Sequence, residues 1–185
     1  MMKRIIYAIK AIYILIYSLI FLRNRIHFDS KKVFLSDFPE VSKDANLYFN
    51  GKFTTRDSCS IKVTSGEVKI GHRTFFNRNV SINCQERIVI GSDCMFGNNV
   101  SIFDHDHVFS SLDRPFKDQG FKTGPVVIGS NVWIGSGTII LKGVTIGDNV
   151  VIGASSLIKS DVPSNSIVKT ESKQTVESIR FKQSN

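Results

Sequence analysis

Ile128 to Pro163 reads IGSNVWIGSGTIILKGVTIGDNVVIGASSLIKSDVP, and its spacing decides the fold. Cut into sixes from Ile128, it opens every block on isoleucine: Ile128, Ile134, Ile140, Ile146, Ile152 and Ile158. The fifth place holds Val132, Thr138, Val144, Val150, Ser156 and Val162, all small or β-branched. A period of six matches neither the 3.6 residues of a helical turn nor the two-residue alternation of a simple strand. It marks a solenoid in which each block supplies a short strand and a corner, and three blocks close one triangular coil. First and fifth positions then point inward, where stacked aliphatic columns supply the apolar burial.

Working outward, the same period weakens. Blocks are regular at Ile70, Phe76 and Ile82, slip by two residues at Ile88-Val89, and resume at Ile90, Phe96 and Ile102. Weaker starts precede them at Leu47, Phe53 and Cys59. Residues 108–127, VFSSLDRPFKDQGFKTGPVV, break the pattern and read as a loop expelled from the solenoid wall. The expected layout is a solenoid domain over 47–168 carrying the 108–127 loop, a polar connector over 27–46 with His27 exposed, and a polar tail over 169–185. A short helix is expected in that tail near Val176 to Phe181.

Residues 1–26 are different in kind. The apolar run Ile5 to Leu22 is interrupted only by Lys10 and Ser18 and is bracketed by Lys3, Arg4, Arg23 and Arg25. It is barely long enough to span a bilayer, and no small-residue cleavage site follows Leu22. The expectation is an apolar, basic N-terminal helix lying on an anionic membrane surface. The alternatives are packing on the solenoid or a neighbouring subunit, and a true span. The net charge of +8 fits an anionic surface or ligand. It does not point to nucleic acid, because no Lys/Arg run carries interleaved aromatics. Cys59, Cys84 and Cys94 are odd in number and form no CxxC pair, which fits a reducing cytoplasm. Cys94 takes a fifth position and reads as a small buried residue.

The run VVIGSNVWIGSGTIILKGVTIGDNVVIGASSLIKSDVP resembles the hexapeptide-repeat acyltransferases, in particular their sugar and polysaccharide O-acetyltransferase branch. The resemblance implies an all-β fold, a left-handed parallel β-helix. Its hand comes from the resemblance alone, since parallel crossovers are ordinarily right-handed.

Asp104-His105-Asp106-His107 lies immediately before the expelled loop. His105 and His107 are the fourth and sixth residues of the Ile102 block, so both side chains should leave the core towards the loop. Imidazole exchanges a proton near neutral pH and suits a general base when a carboxylate or carbonyl orients it. The resemblance places a catalytic histidine at this point. Counting from Asn99-Val100-Ser101-Ile102 puts His107 on the matching position, with His105 in support, or as the base if the count slips. The resemblance also implies that Trp133 lies beside the acetyl donor. Gly97, Gly135 and Gly153 precede Asn98, Ser136 and Ala154 in successive coils; tight corners call for such small residues, and the resemblance implies that the column is also the groove for the pantetheine arm of acetyl-CoA. Ser136, Ala154 and Lys159 fall on cofactor-contact positions, and Asn77 on one that faces the acceptor sugar. Many relatives end on G-x-P-A-[KR]; here the tail reads Thr170-Glu171-Ser172-Lys173-Gln174, one place out of step.

Together these imply an acetyl-CoA-dependent O-acetyltransferase acting, at the cytoplasmic face of the membrane, on a sugar hydroxyl of a surface polysaccharide or its precursor. A homotrimer with sites between subunits follows from the same resemblance. An N-acetyltransferase of an amino-sugar nucleotide and a non-catalytic scaffold are the alternatives. No metal is expected. The three-histidine zinc site of related helices would have only His72 to join a pair set too close in sequence.

Overall fold

In the computed structural model, which describes residues 25–30 and 32–170 together with Ile9, Ile12, Tyr13, Ile16 and Tyr17, the blocks become short strands. The first coil is β1 (Ile26–Phe28), β2 (Val33–Phe34) and β3 (Glu40–Val41), and the second β4 (Ala45–Phe49), β5 (Phe53–Thr55) and β6 (Ser60–Val63). The third is β7 (Gly66–Ile70), β8 (Thr74–Phe76) and β9 (Ser81–Cys84), and the fourth β10 (Arg87–Ile90), β11 (Met95–Phe96) and β12 (Ser101–Phe103). An excursion carries β13 (His105–His107), a 3₁₀ turn at Phe116–Asp118 and β14 (Phe121–Thr123). The fifth coil is β15 (Val126–Ile128), β16 (Trp133–Ile134) and β17 (Ile139–Ile140), and the sixth β18 (Thr145–Ile146), β19 (Val151–Ile152) and β20 (Leu157–Ile158). β21 (Ile167–Val168) begins a seventh.

Each coil gives one strand to each of three parallel sheets, so the molecule is a three-walled solenoid. β1, β4, β7, β10, β15 and β18 build the first wall. β2, β5, β8, β11, β16, β19 and β21 build the second, and β3, β6, β9, β12, β17 and β20 the third. The first-position residues stack in register: Ile70, Ile90, Ile128 and Ile146 in one wall, Phe76, Phe96, Ile134 and Ile152 in the next, Ile82, Ile102, Ile140 and Ile158 in the last. All are buried. The N-terminal coils are filled by aromatics instead: Phe28, Phe49, Phe53, Phe76 and Phe96 form a continuous run of ring contacts.

The corners need a left-handed residue. Asn79, Asn99, Asn131, Asn149 and Asn165 all have φ near +57° (56° to 59°), a region in which asparagine is less penalised than other side chains. Their amides then bond coil to coil, Asn79 to Asn99 and Asn131 to Asn149 to Asn165.

Two boundaries differ from the sequence expectation. Residues 27–46 are not a connector: β1, β2 and β3 pair in parallel with β4, β5 and β6, so the solenoid begins at Ile26. His27 is half-buried and stacks on Tyr48 with ring centroids 4.4 Å apart, rather than standing exposed. The expelled loop also has a stem: β13 and β14 pair antiparallel, and Val126 and Val127 are already back in the wall. Most of the expected N-terminal helix and all of residues 171–185, including Lys173 and the expected helix near Val176 to Phe181, lie outside the described residues. Of the N-terminal stretch, Ile9, Ile12, Tyr13, Ile16 and Tyr17 are helical and exposed, and the Tyr13 ring meets Phe38 edge-on at 5.6 Å. Among the described residues no helix is long and apolar enough to cross a membrane.

Ile146 sits between Ile128 and Val162 with 1% of its surface exposed. Ile146→Asp would place an unpaired carboxylate in that column, at a cost of several kcal/mol, on the order of a domain's whole stability. The variant is expected to be insoluble or to lack a cooperative melt by circular dichroism. A soluble variant melting like the parent would show the inward register to be wrong.

Candidate active site

The chain leaves the solenoid at the corner between third and first walls, and one carboxylate holds that exit. Asp104 is fully buried. It accepts the backbone N–H groups of Gln85, Glu86 and Arg87, each at 2.8 Å, and the Cys84 thiol at 3.2 Å. His105 Nδ1 lies 2.9 Å from its other side. Because an ionised carboxylate only accepts, that nitrogen carries a proton. Burial pushes the Asp104 carboxyl up, but the bonds from His105, Glu86, Gln85 and Cys84 outweigh it and hold the group below the ordinary carboxylate range. The Asp104 carbonyl also accepts Gly124 N–H at 2.8 Å, closing the neck of the excursion.

Beyond the neck, His105 and His107 share one face of β13 and Asp106 takes the other. Phe121 is paired with His107 across the hairpin, and its ring meets both imidazoles, at 5.1 Å from His105 and 4.5 Å from His107. His105 is largely covered; His107 is exposed. Asp106 faces Lys122 in the hairpin register and binds Lys142 Nζ at 3.2 Å. Gln119 braces the outer arm, accepting Ser111 N–H and donating to the Ser111 and Arg114 carbonyls. The arm carries exposed Phe109, Leu112 and Phe116.

The other expected site residues gather on a different edge, the corner between second and third walls. Asn77, Gly97, Gly135 and Gly153 stack there, with Asn98, Ser136 and Ala154 following the glycines. The glycines serve coil packing: a Cβ on Gly97 would lie 2.6 Å from Ser136 N, and one on Gly135 2.5 Å from Ala154 N. Arg78 N–H donates to Asn98 Oδ1 and Asn98 N–H to Ser136 Oγ. The ladder stops at Ser136, because the residue above is Ala154, which has no side-chain acceptor. That leaves the Ser136 N–H at an exposed corner without a side-chain acceptor among the described residues. Asn77 Oδ1 accepts Arg78 N–H, and its carbonyl accepts the Cys59 thiol.

Trp133 projects outward from the second wall, 53% exposed, between Met95 and Val151. Lys159, exposed, follows β20 at the third–first corner and so falls on the histidine edge rather than with Ser136 and Ala154. The expected site residues of one chain therefore fall into two groups, His105 and His107 on one edge, Ser136, Ala154 and Asn77 on another. His72 belongs to neither. It lies at the first–second corner, where Nδ1 accepts Lys52 N–H at 3.1 Å. Among the described residues no three His, Cys, Asp or Glu side chains are grouped to hold a metal. Burial raises the Cys59 and Cys94 thiols, and burial followed by the Asp104 charge raises Cys84, so all three stay protonated thiols in the core.

Sequence reasoning missed Asp104 as the anchor, and Lys122, Lys142 and Phe121 as neighbours of the histidines. The signal for Asp104 was the two-residue slip at Ile88-Val89. The longer corner at Gln85 to Arg87 leaves three successive N–H groups to be satisfied, and a carboxylate one coil on satisfies them.

A family profile described as bacterial transferase hexapeptide (six repeats) matches residues 125–160. The putative lipopolysaccharide biosynthesis O-acetyltransferase WbbJ of Escherichia coli is 33% identical over 141 residues, which covers 69% of this chain and 69% of that protein. A probable acetyltransferase of Mycobacterium tuberculosis is 32% identical over 111 residues, 60% of this chain. This chain spans only 37% of that relative's length. Among solved structures, the N-acyltransferase AntD of Bacillus cereus in complex with dTDP and 3-hydroxybutyryl-CoA superposes with a TM-score of 0.63 at 22% identity, covering 76% of each chain. At that identity the likeness speaks for the fold.

The Asp104 network sets an acid limit on stability. Its folded value lies below the unfolded one of about 3.9, so its contribution is complete above that pH and is lost as pH falls through the folded value. Asp104→Asn would leave the N–H cluster facing an amide and is expected to cost about 3–5 kcal/mol at pH 7. It should also flatten the fall in Tm between about pH 4 and pH 2. Thermal melts across that range test both; an unchanged Tm and acid profile would remove Asp104 from this role.

Proposed function

This chain belongs to the hexapeptide-repeat transferases, and from that premise we propose that it is an acetyl-CoA-dependent O-acetyltransferase acting on a sugar hydroxyl of a surface polysaccharide or its precursor. The hairpin carries the reading. It presents His107 exposed beside an open cleft, on a stem locked by a buried carboxylate, as a general base for a bulky acceptor must be. WbbJ, similar over two thirds of both chains, bears a name that places an O-acetyltransferase in lipopolysaccharide biosynthesis.

Acetyl-CoA supplies the thioester whose acetyl group passes to the sugar oxygen. His107 takes the proton of the attacking hydroxyl and returns it to the departing sulfur, so the imidazole ends as it began. Ser136 N–H, left without a ladder acceptor, fits the role of donor to the carbonyl oxygen as charge builds there. Ala154 keeps that N–H accessible, and Trp133 stands next to it on the second wall as a flat apolar support. Asn77, two coils away on the same edge, faces the acceptor in this reading, and Lys159 the cofactor's phosphates. His105, tied through Nδ1 to Asp104, steadies the strand that carries His107. The cysteines are too deeply buried to form an acyl-enzyme.

The half-sites lie on different edges of one chain, so a complete site needs the hairpin of one copy against the Ser136 corner of the next. That is a heterologous contact, and three copies close it into a ring. The exposed Phe109, Leu112 and Phe116 on the arm suit such a contact.

His107→Ala is expected to lower kcat for thiol release from acetyl-CoA with glycan acceptor by about 10²- to 10⁴-fold, with the melting temperature retained. Loss of activity in His105→Ala with His107→Ala fully active would reverse the two roles. An amide rather than ester product would make the enzyme an N-acetyltransferase, and no release with any sugar would leave only a scaffold. Sedimentation should give the mass of three chains.

Residues 1–26 are proposed to place the enzyme at the cytoplasmic membrane face, where lipid-linked glycan meets acetyl-CoA. The apolar run with its basic flanks supports this, as does the exposed helical stripe Ile9, Ile12, Tyr13, Ile16 and Tyr17. Deleting residues 1–26 should release the protein from anionic vesicles in a flotation assay while turnover of a short soluble acceptor survives. Loss of solubility or of the trimer would instead make the segment a structural helix.

A further inference from the structure

The hairpin borders a cleft of about 390 Å³. Asp106, His107, Lys122 and Lys142 line it, with residues 108–110. Two ammonium groups meet one carboxylate here. Asp106 engages Lys142 at 3.2 Å and stands across the hairpin register from Lys122, but a single carboxylate cannot neutralise both. Lys142 is also held in place: its side chain is only 23% exposed, and it projects from the tight corner between β17 and β18. A lysine so sheltered is screened by salt less than one extended into water.

We propose that this cleft is an anion subsite, holding a carboxylate or phosphate that the acceptor carries near the hydroxyl to be acetylated. The inference rests on the acetyltransferase reading and narrows its substrate to an acidic glycan or a sugar phosphate. Lys122 and Lys142 grip the anion as two point charges, and Asp106 sets the direction of Lys142. His107 borders the same cleft from the other face of β13, so an anion held there fixes the acceptor ring beside the strand that carries the base, which is how a remote contact contributes to rate.

The test uses the full-length protein and three acceptors on one ring: methyl glucoside, methyl glucuronide and glucose 1-phosphate. At low salt, kcat/KM for one of the charged acceptors should exceed that for the neutral one by about tenfold, the worth of a charge-assisted contact. Whichever is preferred identifies carboxylate or phosphate. The preference should shrink as salt is raised and fall towards unity in the Lys122→Gln, Lys142→Gln double variant. A preference that survives the double variant overturns the subsite. So does a double variant that raises KM for acetyl-CoA and leaves the acceptor ratio alone, because the lysines then serve the donor's phosphates. If no acceptor turns over, the transferase reading fails, and the imidazole proton signals of His107 decide the subsite separately. Titration with glucuronate or glucose 1-phosphate should shift them in the wild type and not in the double variant; unmoved signals overturn the proposal.

Discussion

Everything in this molecule depends on the vertical backbone ladder, in which each strand bonds to the one a full coil above it, at the spacing of about 4.8 Å that parallel strands impose. At that distance the coils must be nearly congruent, so whatever one coil does at a corner the next must accommodate. The left-handed asparagines recur because their backbones turn alike and their amides then meet. The corner glycines recur because a single added carbon would strike the neighbouring backbone. Where one corner residue lacks a side-chain acceptor, as Ala154 does, the ladder of side-chain bonds ends.

The same constraint explains how an excursion can leave the wall without disturbing it. Between the third and fourth coils equivalent residues are 20 positions apart, as in Ser81 and Ser101; between the fifth and sixth they are 18 apart, as in Asn131 and Asn149. The surplus residues sit at the third–first corner, where their N–H groups would otherwise be buried without partners. Asp104 collects those donors, turns the chain outward and orients His105 with the same carboxylate. Core stability and site geometry are therefore coupled through one side chain. A carboxylate is needed because a neutral residue of that size cannot accept from five donors at once. The gathered hydrogen bonds offset the cost of burying its charge.

The sixfold period was legible from sequence alone because an inward position in a stacked coil has nearly the same surroundings in every turn, so a few residue types recur at fixed spacing. Ile128 to Pro163 therefore declared the walls, the inward columns and the outward course of Trp133, and the Ile102 block that of His107. The first coil was not legible: its corners are long and uneven, so Ile26, Val33 and Val41 show no period of six. Tertiary structure alone decided the pairing of His105–His107 with Phe121–Thr123, the inward turn of Asp104, and the gathering of Lys122 and Lys142 around Asp106. It also decided that Trp133 and His107 stand on different sides of one chain. Each of these joins residues across a gap that carries no repeat, and contacts of that kind are set by where the chain returns in space, not by what stands beside each residue in sequence.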